Sequence, residues 1–419
     1  MVHYNLLVGD VQSGKTAYEI KYCYESIKNN IPVIFIIRNI LADKLQLIER
    51  FKLSHESFSI KTIDDTNLFD QVGVIIILCN PLQLQKLSNT GYTGLYNLCI
   101  DEVDFSIKSK DFHTRTDRYI SLLKKGAHSI LGATATPFAV FSSERLLNTV
   151  TKLEPGNNYK GIHDIQIEYI EPVIIKNVNR FPVCDHCAIR RVYSQCLKKD
   201  RCVLLHTVVK EKILQRILFD YLSLRWAPFT IVLYNGDGII VYNGKSVPLL
   251  KTSKKYFFNE NVHYFKNTAI AIVLQLIKDD THISIISGQL ASRGISFVSS
   301  DYTLHLTDQY FHPSKTSHGE NLLQGLRILG CYNDSVPLTL WCSRDVYSQI
   351  LEQHLLLKVL VSECTNKRKW LKKLHGVNVK KPSRALSRPN LIMGTKWSRA
   401  DTPGNYTICI EHFEEVEST

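Results

Sequence analysis

Over the first 150 residues, short and mostly apolar runs alternate with longer amphipathic ones. Tyr4–Val8, Val33–Ile37, Val74–Cys79, Leu95–Ile100 and Ser129–Leu131 are rich in β-branched residues, the pattern of parallel strands buried on both faces. Between them, Lys15–Asn29 and Ala42–Phe51 carry apolar residues at helical spacing (Ala17, Ile20, Tyr24 and Ile27; Leu45 and Ile48). Strands alternating with helices predict βαβ units and a parallel sheet. Residues 151–200 read as a less regular connector. A second alternating set follows at Val203–His206, Thr230–Leu233, Ile283–Ile286, Thr303–Leu306 and Leu338–Trp341. Asn-Gly pairs at 235–236 and 243–244 are hairpin signals and mark an insertion over 235–267. From Gln349 the pattern turns helical and basic. The expected organisation is α/β, with parallel-sheet domains at 1–150 and 201–348, a connector at 151–200 and a basic, mainly helical extension at 349–419.

Composition narrows the class. With 44% hydrophobic and 21% charged residues in 419, the chain is neither disordered, collagen-like nor a coiled coil. Its longest apolar runs, Ile31–Ile37 and Val72–Cys79, fall far short of the ~18 residues of a membrane helix, so no membrane partner is expected. A secretory leader of ~15–30 residues would include the glycine loop at Gly9, so none is expected. Eleven cysteines in this length read as reduced thiols of an intracellular protein, in cytoplasm or nucleus.

The net charge of +12 is concentrated. Twelve basic residues lie between Lys358 and Arg399, Lys369, Lys372 and Lys373 among them, against one acid, Glu363. Such a segment suits a polyanion, because neutralising phosphates releases counterions. The alternative is a solvated or localisation segment that touches no nucleic acid.

Two segments carry candidate chemistry. Gly9-Asp10-Val11-Gln12-Ser13-Gly14-Lys15-Thr16 fits G-x-x-x-x-G-K-[ST] and stands between an expected strand and an expected helix. Its glycines let backbone N–H groups curl inward onto phosphates. Lys15 reaches the β/γ-phosphates of ATP and the Thr16 hydroxyl holds Mg²⁺. Asn97–Asp104 is an apolar strand running into Asp101, Glu102 and Asp104. At a strand's C-terminal end, Asp101 can hold the Mg²⁺ shell and Glu102 can polarise an attacking water. By itself this segment would read as an acidic loop cap; beside the phosphate loop it reads as the metal and water site.

These residues reach a family resemblance. Asp101-Glu102-Val103-Asp104 has the D-E-x-D form, and Gly132-Ala133-Thr134-Ala135-Thr136-Pro137 resembles the Ser/Thr-Ala-Thr motif of superfamily 2 helicases. Ser287–Ser296, with Arg293-Gly294, is similar to that family's fifth motif. Gln324-Gly325-Leu326-Arg327-Ile328-Leu329-Gly330 resembles an abbreviated sixth motif, lacking the usual second arginine at 330–332. Ile36-Ile37-Arg38-Asn39 resembles the motif that touches the nucleic-acid backbone. The resemblance spans roughly residues 4–345 and implies two tandem RecA-like domains closing over ATP. It implies that Lys15, Asp101 and Glu102 act with Arg293 and Arg327 in hydrolysis, Arg327 as arginine finger. Gly9, Gln12, Ser13, Gly14, Thr16 and Gln324 would bind nucleotide, Thr134 and Thr136 would couple it to domain movement, and Arg38 and Asn39 would contact nucleic acid. Eight residues precede Gly9, so the adenine-reading segment of DEAD-box relatives is not expected. The resemblance therefore points to a non-DEAD-box, DExD-type branch that includes viral and restriction-associated proteins. The implied activity is a nucleic-acid-dependent ATPase, a helicase or translocase on DNA before RNA. Its rival is an ATP-switched assembly or packaging protein that does not unwind nucleic acid.

Cys184, Cys187, Cys196 and Cys202 invite a zinc reading, but their spacing does not match paired knuckles, and ordinary thiols are the better expectation. His206 and His305 sit in apolar runs and read as core histidines.

Overall fold

The structure, a computed structural model, describes residues 2–54, 59–65, 67–106, 115–137, 140–141, 147–170, 186–207, 212–226, 228–243, 254–255, 261–292, 294–313, 319–330 and 336–363. Arg293, Lys369, Lys372, Lys373, Cys184 and the basic extension beyond 363 lie outside the described residues, as does the Cys187 side chain.

The first sheet contains β1 (His3–Val8), β2 (Val33–Ile37), β3 (Ile60–Thr62), β4 (Val74–Leu78), β5 (Asn97–Ile100), β6 (Ser129–Thr134) and β7 (Thr149–Lys152). Their order is β3-β4-β2-β5-β6-β1-β7, and every pairing is parallel. β2 is central and all five of its residues are buried. The helix Lys15–Lys28 lays Ile20 and Cys23 on Leu7, Phe35 and Leu131 of this sheet. Truncating a ring such as Phe35, with no exposed surface, would cost about 3–5 kcal/mol. The helix Pro81–Asn89 opens on Asn80, whose side chain accepts from Gln83 N at 3.0 Å, with proline at the first helical position.

The second sheet contains β8 (Gln166–Tyr169), β9 (Cys202–Thr207), β10 (Thr230–Asn235), β11 (Gly238–Tyr242), β12 (Lys254–Lys255), β13 (Val262–Phe265), β14 (His282–Ser287), β15 (Asp308–Phe311) and β16 (Thr339–Cys342). Their order is β12-β13-β11-β10-β14-β9-β15-β16-β8. The strands from β10 through β8 in that order are parallel; β11, β13 and β12 add an antiparallel flap. This flap occupies the region of the Asn-Gly signals. Within 151–200, β8 edges the second sheet and the helix His186–Cys196 packs on its core, while β7 edges the first sheet.

One expected strand is displaced. Thr303–Leu306 forms no ladder, and the strand is β15, two residues further on. Its first residues, Asp308 and Gln309, are polar and fully buried, so the hydrophobic pattern hides them. Asp308 is held by Lys199 Nζ (2.7 Å) and Trp341 Nε1 (2.9 Å) on one oxygen, and by the Thr307 hydroxyl (2.7 Å) and Cys202 thiol (3.3 Å) on the other. A buried charge persists only when partnered in this way. Cys196 lies close to the same carboxylate, but four donors already engage it, which fits structural thiols better than a metal centre. His206 is a buried ring between Tyr193 and Tyr310 in the second core.

No described helix is long and apolar enough to cross a membrane.

Candidate functional site

The cleft between the two sheets holds most of the candidate residues. It has a volume of about 710 Å³, and Gln12, Lys15, Thr16, Asp101, Glu102, Gln324 and Arg327 line it.

The phosphate loop leaves β1 and turns into the helix that begins at Lys15, with Gly14 in the left-handed region (φ 93°) capping it. Lys15 folds back on its own loop: Nζ donates to Gly9 O (3.1 Å) and Asp10 O (2.7 Å). Burial lowers its pKa, and Glu102 and Asp101 oppose that shift. The Ser13 hydroxyl is buried without a partner. The Thr16 hydroxyl accepts from Arg50 Nη1 at 2.8 Å.

The β5 strand delivers the acids. Asp101 Oδ1 accepts from Glu102 N at 2.8 Å, and burial raises the Asp101 pKa while Lys15, Arg38 and Arg50 pull it down. Glu102 sits in the left-handed region at φ 49°, a conformation that costs about 1 kcal/mol and that here turns its side chain toward the second lobe. Asp104 accepts from Thr134 Oγ1 at 2.7 Å and Thr136 Oγ1 at 3.3 Å. Thr136 N in turn donates to Thr134 Oγ1 at 2.9 Å.

From the other lobe, Gln324 Nε2 reaches both Thr136 Oγ1 (2.7 Å) and Glu102 Oε2 (3.2 Å). Asp104, Thr134, Thr136, Gln324 and Glu102 thus form one buried hydrogen-bonded chain across the cleft. Arg327 is buried and lines the cleft, its Nη1 bonded to Gln324 O at 3.0 Å, its Nη2 to Ile295 O, and its Nε unpartnered. Burial pulls its pKa to about 10, so the guanidinium keeps its charge at neutral pH. Gln12 Nε2 donates to Arg327 O at 2.6 Å, tying the glycine loop to the turn at Arg327.

Two glycines set how closely the lobes approach. A Cβ on Gly330 (φ 79°) would stand 2.5 Å from Gln12 Cβ and 2.8 Å from Gln12 O. One on Gly294 (φ 69°) would stand 2.5 Å from Arg38 Nη2. Arg38, expected on a nucleic-acid face, is instead buried between the lobes and forms a two-pronged ion pair with Asp43 at 2.7 and 2.9 Å. Asn39 is exposed at the C-terminal end of β2, its Oδ1 accepting from Asn80 Nδ2 at 2.9 Å.

Pattern reading missed several residues of this site. Gln309 Oε1 accepts from Arg327 N (2.9 Å) and Ile328 N (3.1 Å), and its Nε2 donates to Gly325 O (2.7 Å), so a buried glutamine on β15 shapes the turn over 325–328. Nothing in its sequence surroundings marks it. Gln46 and Arg50 also join the lobes, and their four-residue spacing on one predicted helix is a signal that could have found them.

The residues fit a nucleoside triphosphate: Ser13 Oγ and Arg327 Nε are buried polar atoms without partners, and Lys15 is held only by carbonyls of its own loop among the contacts described.

The chain matches no protein-family model, and no curated protein matches it. Among solved structures, it is similar to S. cerevisiae Dbp5 bound to RNA and ADP BeF3, with a TM-score of 0.51 and 13% identity over 85% of this chain and 83% of that one. A single-residue variant of the same protein, with the same ligands, gives 0.51 at 12% identity and the same coverage. RecG bound to a three-way DNA junction gives 0.49 at 13% identity, over 94% of this chain and 46% of that one. The likeness to Dbp5 shows the fold: two tandem RecA-like domains.

Proposed function

We propose that this chain is a nucleic-acid-dependent ATPase of the superfamily 2 kind, acting as a helicase or translocase. The observation that carries the reading is the hydrogen-bonded chain from Asp104 through Thr134 and Thr136 to Gln324 and Glu102. It connects the acids beside the phosphate loop to the opposite lobe, so a change at the nucleotide is a change in what holds the lobes together.

In this reading the loop N–H groups and Lys15 bind the triphosphate, Lys15 exchanging loop carbonyls for phosphate oxygens. Thr16 and Asp101 would hold Mg²⁺, which neutralises charge on the phosphates when bound. Glu102 orients the attacking water, and its contact with Gln324 makes that orientation depend on closure. Arg327 stabilises negative charge developing on the terminal phosphoryl oxygens, and it does so only when the lobes meet. Arg293 is assigned a similar supporting role from its motif position alone. Triphosphate favours the closed state and its loss releases it, so nucleic acid lying across both lobes is gripped differently in the two states. Asn39, exposed at the end of β2, is the contact this reading assigns to the first lobe. Lys369, Lys372 and Lys373 would add sequence-independent phosphate contacts. DNA remains the favoured track; Dbp5 with bound RNA makes RNA the second one to examine.

The test is ATP turnover by the full chain, alone and with single-stranded or duplex DNA or RNA, followed by strand displacement. Stimulation by nucleic acid with displacement is expected. Turnover indifferent to all four polymers would favour the ATP-switched assembly protein instead.

A further inference from the structure

Two side chains of the helix Leu41–Leu53 bond to one residue of the second lobe, Ser296. Gln46 Nε2 donates to Ser296 O at 2.9 Å and Gln46 Oε1 accepts from Ser296 N at 3.2 Å. One turn on, Arg50 Nη2 donates to Ser296 Oγ at 2.7 Å while Nη1 donates to Thr16 Oγ1 at 2.8 Å. The two side chains have different surroundings. Gln46 is buried and already makes a complete lobe contact. Arg50 is half-buried and lines the cleft with Lys15, Asp101, Glu102 and Arg327.

The cations near this cleft are neutralised differently. Arg38 is matched to the Asp43 carboxylate. Arg327 is held by two backbone carbonyls. Arg50 is held by two neutral hydroxyls; no described carboxylate bonds to it, and its charge acts on Asp101 without contact. A guanidinium facing a cleft shaped for a polyanion and bonded only to hydroxyls has its charge to offer. An anionic oxygen is a stronger partner for it than a hydroxyl, because it adds the attraction of opposite charges and the planar guanidinium fork matches phosphate geometry.

We propose that Arg50 is a second arginine of the nucleotide site, supplied by the same lobe as the phosphate loop, and that it exchanges the Thr16 hydroxyl for a phosphate oxygen of the triphosphate while keeping Ser296. The proposal rests on the nucleotide reading above. Leaving Thr16 also frees that hydroxyl for a cation. Because one guanidinium holds both phosphate and Ser296, triphosphate binding and lobe contact strengthen each other through it, as linkage requires.

The experiment measures equilibrium binding of a fluorescent ATP analogue and of ADP to the full chain, with Mg²⁺ and with EDTA, alongside inter-lobe distance by fluorescence transfer. Arg50→Ala should weaken triphosphate binding about 10- to 100-fold. The loss should persist in EDTA, since the contact is to phosphate, and Arg50→Lys should recover part of it. Gln46→Ala, which loses lobe contact but no phosphate contact, should change affinity less than about 3-fold. Thermal melts establish that each variant is folded, and Arg50→Lys keeps the aliphatic stem should Arg50→Ala melt early. Wild-type affinity in folded Arg50→Ala overturns the proposal. So does an equal loss in Arg50→Ala and Gln46→Ala, which would make Arg50 a staple between lobes. A wild-type chain that binds no triphosphate removes the nucleotide reading itself.

Discussion

Gln324 and Thr136 stand 188 positions apart in the chain and meet at 2.7 Å across the cleft, Gln324 Nε2 donating to the Thr136 hydroxyl. The same amide reaches Glu102, so one side chain of the second lobe touches both the acid beside the phosphate loop and the threonine pair beneath it. Removing it breaks the joint without touching the phosphate loop. Gln324→Ala should therefore lower nucleic-acid-stimulated turnover about 10- to 100-fold, the worth of a hydrogen bond to a charged group. Thr136→Ala should be largely non-additive with it in a double-mutant cycle. Stimulation undiminished in Gln324→Ala would show that the lobes communicate by another route.

Lys15 is the only described cation donating to the loop carbonyls of Gly9 and Asp10. Lys15→Ala should reduce turnover at least about 100-fold, as loss of one preorganised donor to a reacting oxyanion does. Turnover near the wild-type level with Mg-ATP would remove the phosphate-loop assignment.

Glu102→Gln keeps the side chain's shape and an oxygen able to accept from Gln324, but removes the charge that the proposed function uses to orient water. Triphosphate should still bind, while turnover falls about 100-fold or more. Single-turnover hydrolysis and equilibrium binding separate the two effects. A variant that loses binding and keeps its chemical rate would contradict the role.

Gly330 faces Gln12 so closely that a methyl group would meet its backbone oxygen at 2.8 Å, and its φ of 79° is already unfavourable to other residues. Gly330→Ala should hold the lobes apart, at about 1–2 kcal/mol for the backbone alone, and lower stimulated turnover about ten-fold or more. Small-angle scattering with a non-hydrolysable triphosphate should report a wider particle than wild type. Equal dimensions and equal turnover would mean that closure does not need this contact.

Stability should depend on pH through His206, whose pKa burial pushes down to about 3. The unfolded chain takes up a proton near the ordinary 6.5, and the folded chain does not until far lower pH. Stability from the neutral ring is therefore complete above pH 6.5 and is lost as pH falls toward the folded value, by up to about 1.4 kcal/mol per pH unit. His206→Phe keeps an aromatic ring between Tyr193 and Tyr310 and should flatten the fall in urea midpoint between about pH 7 and pH 5. Parallel declines in both proteins would show that other groups set the acid sensitivity.

Much of this architecture is legible from local pattern, because a strand buried on both faces must be apolar throughout and a phosphate loop must place its glycines and lysine at fixed spacing. β2 occupies the span its apolar run predicts, and the helix after the loop starts at Lys15 as expected. Pattern fails at β15, whose buried Asp308 and Gln309 look like surface residues until Lys199, Trp341 and Arg327 are brought to them. It also misses the helix at Pro81, although Asn80-Pro81 is a readable start.

The amino-acid order alone determined the two α/β lobes, the loop with Lys15 and Thr16, and the acids at the end of β5. These are properties of a few consecutive residues, and hydrophobic burial and loop geometry act at that range. Only the tertiary structure decided that Arg38 is buried against Asp43, that Gln324 joins Thr136 to Glu102, and that Arg50 spans Thr16 and Ser296. Each is a pairing of polar groups from distant segments. What selects such a partner is desolvation in the closed cleft, where an unpaired donor is costly, and no local pattern records which group will be there to meet it.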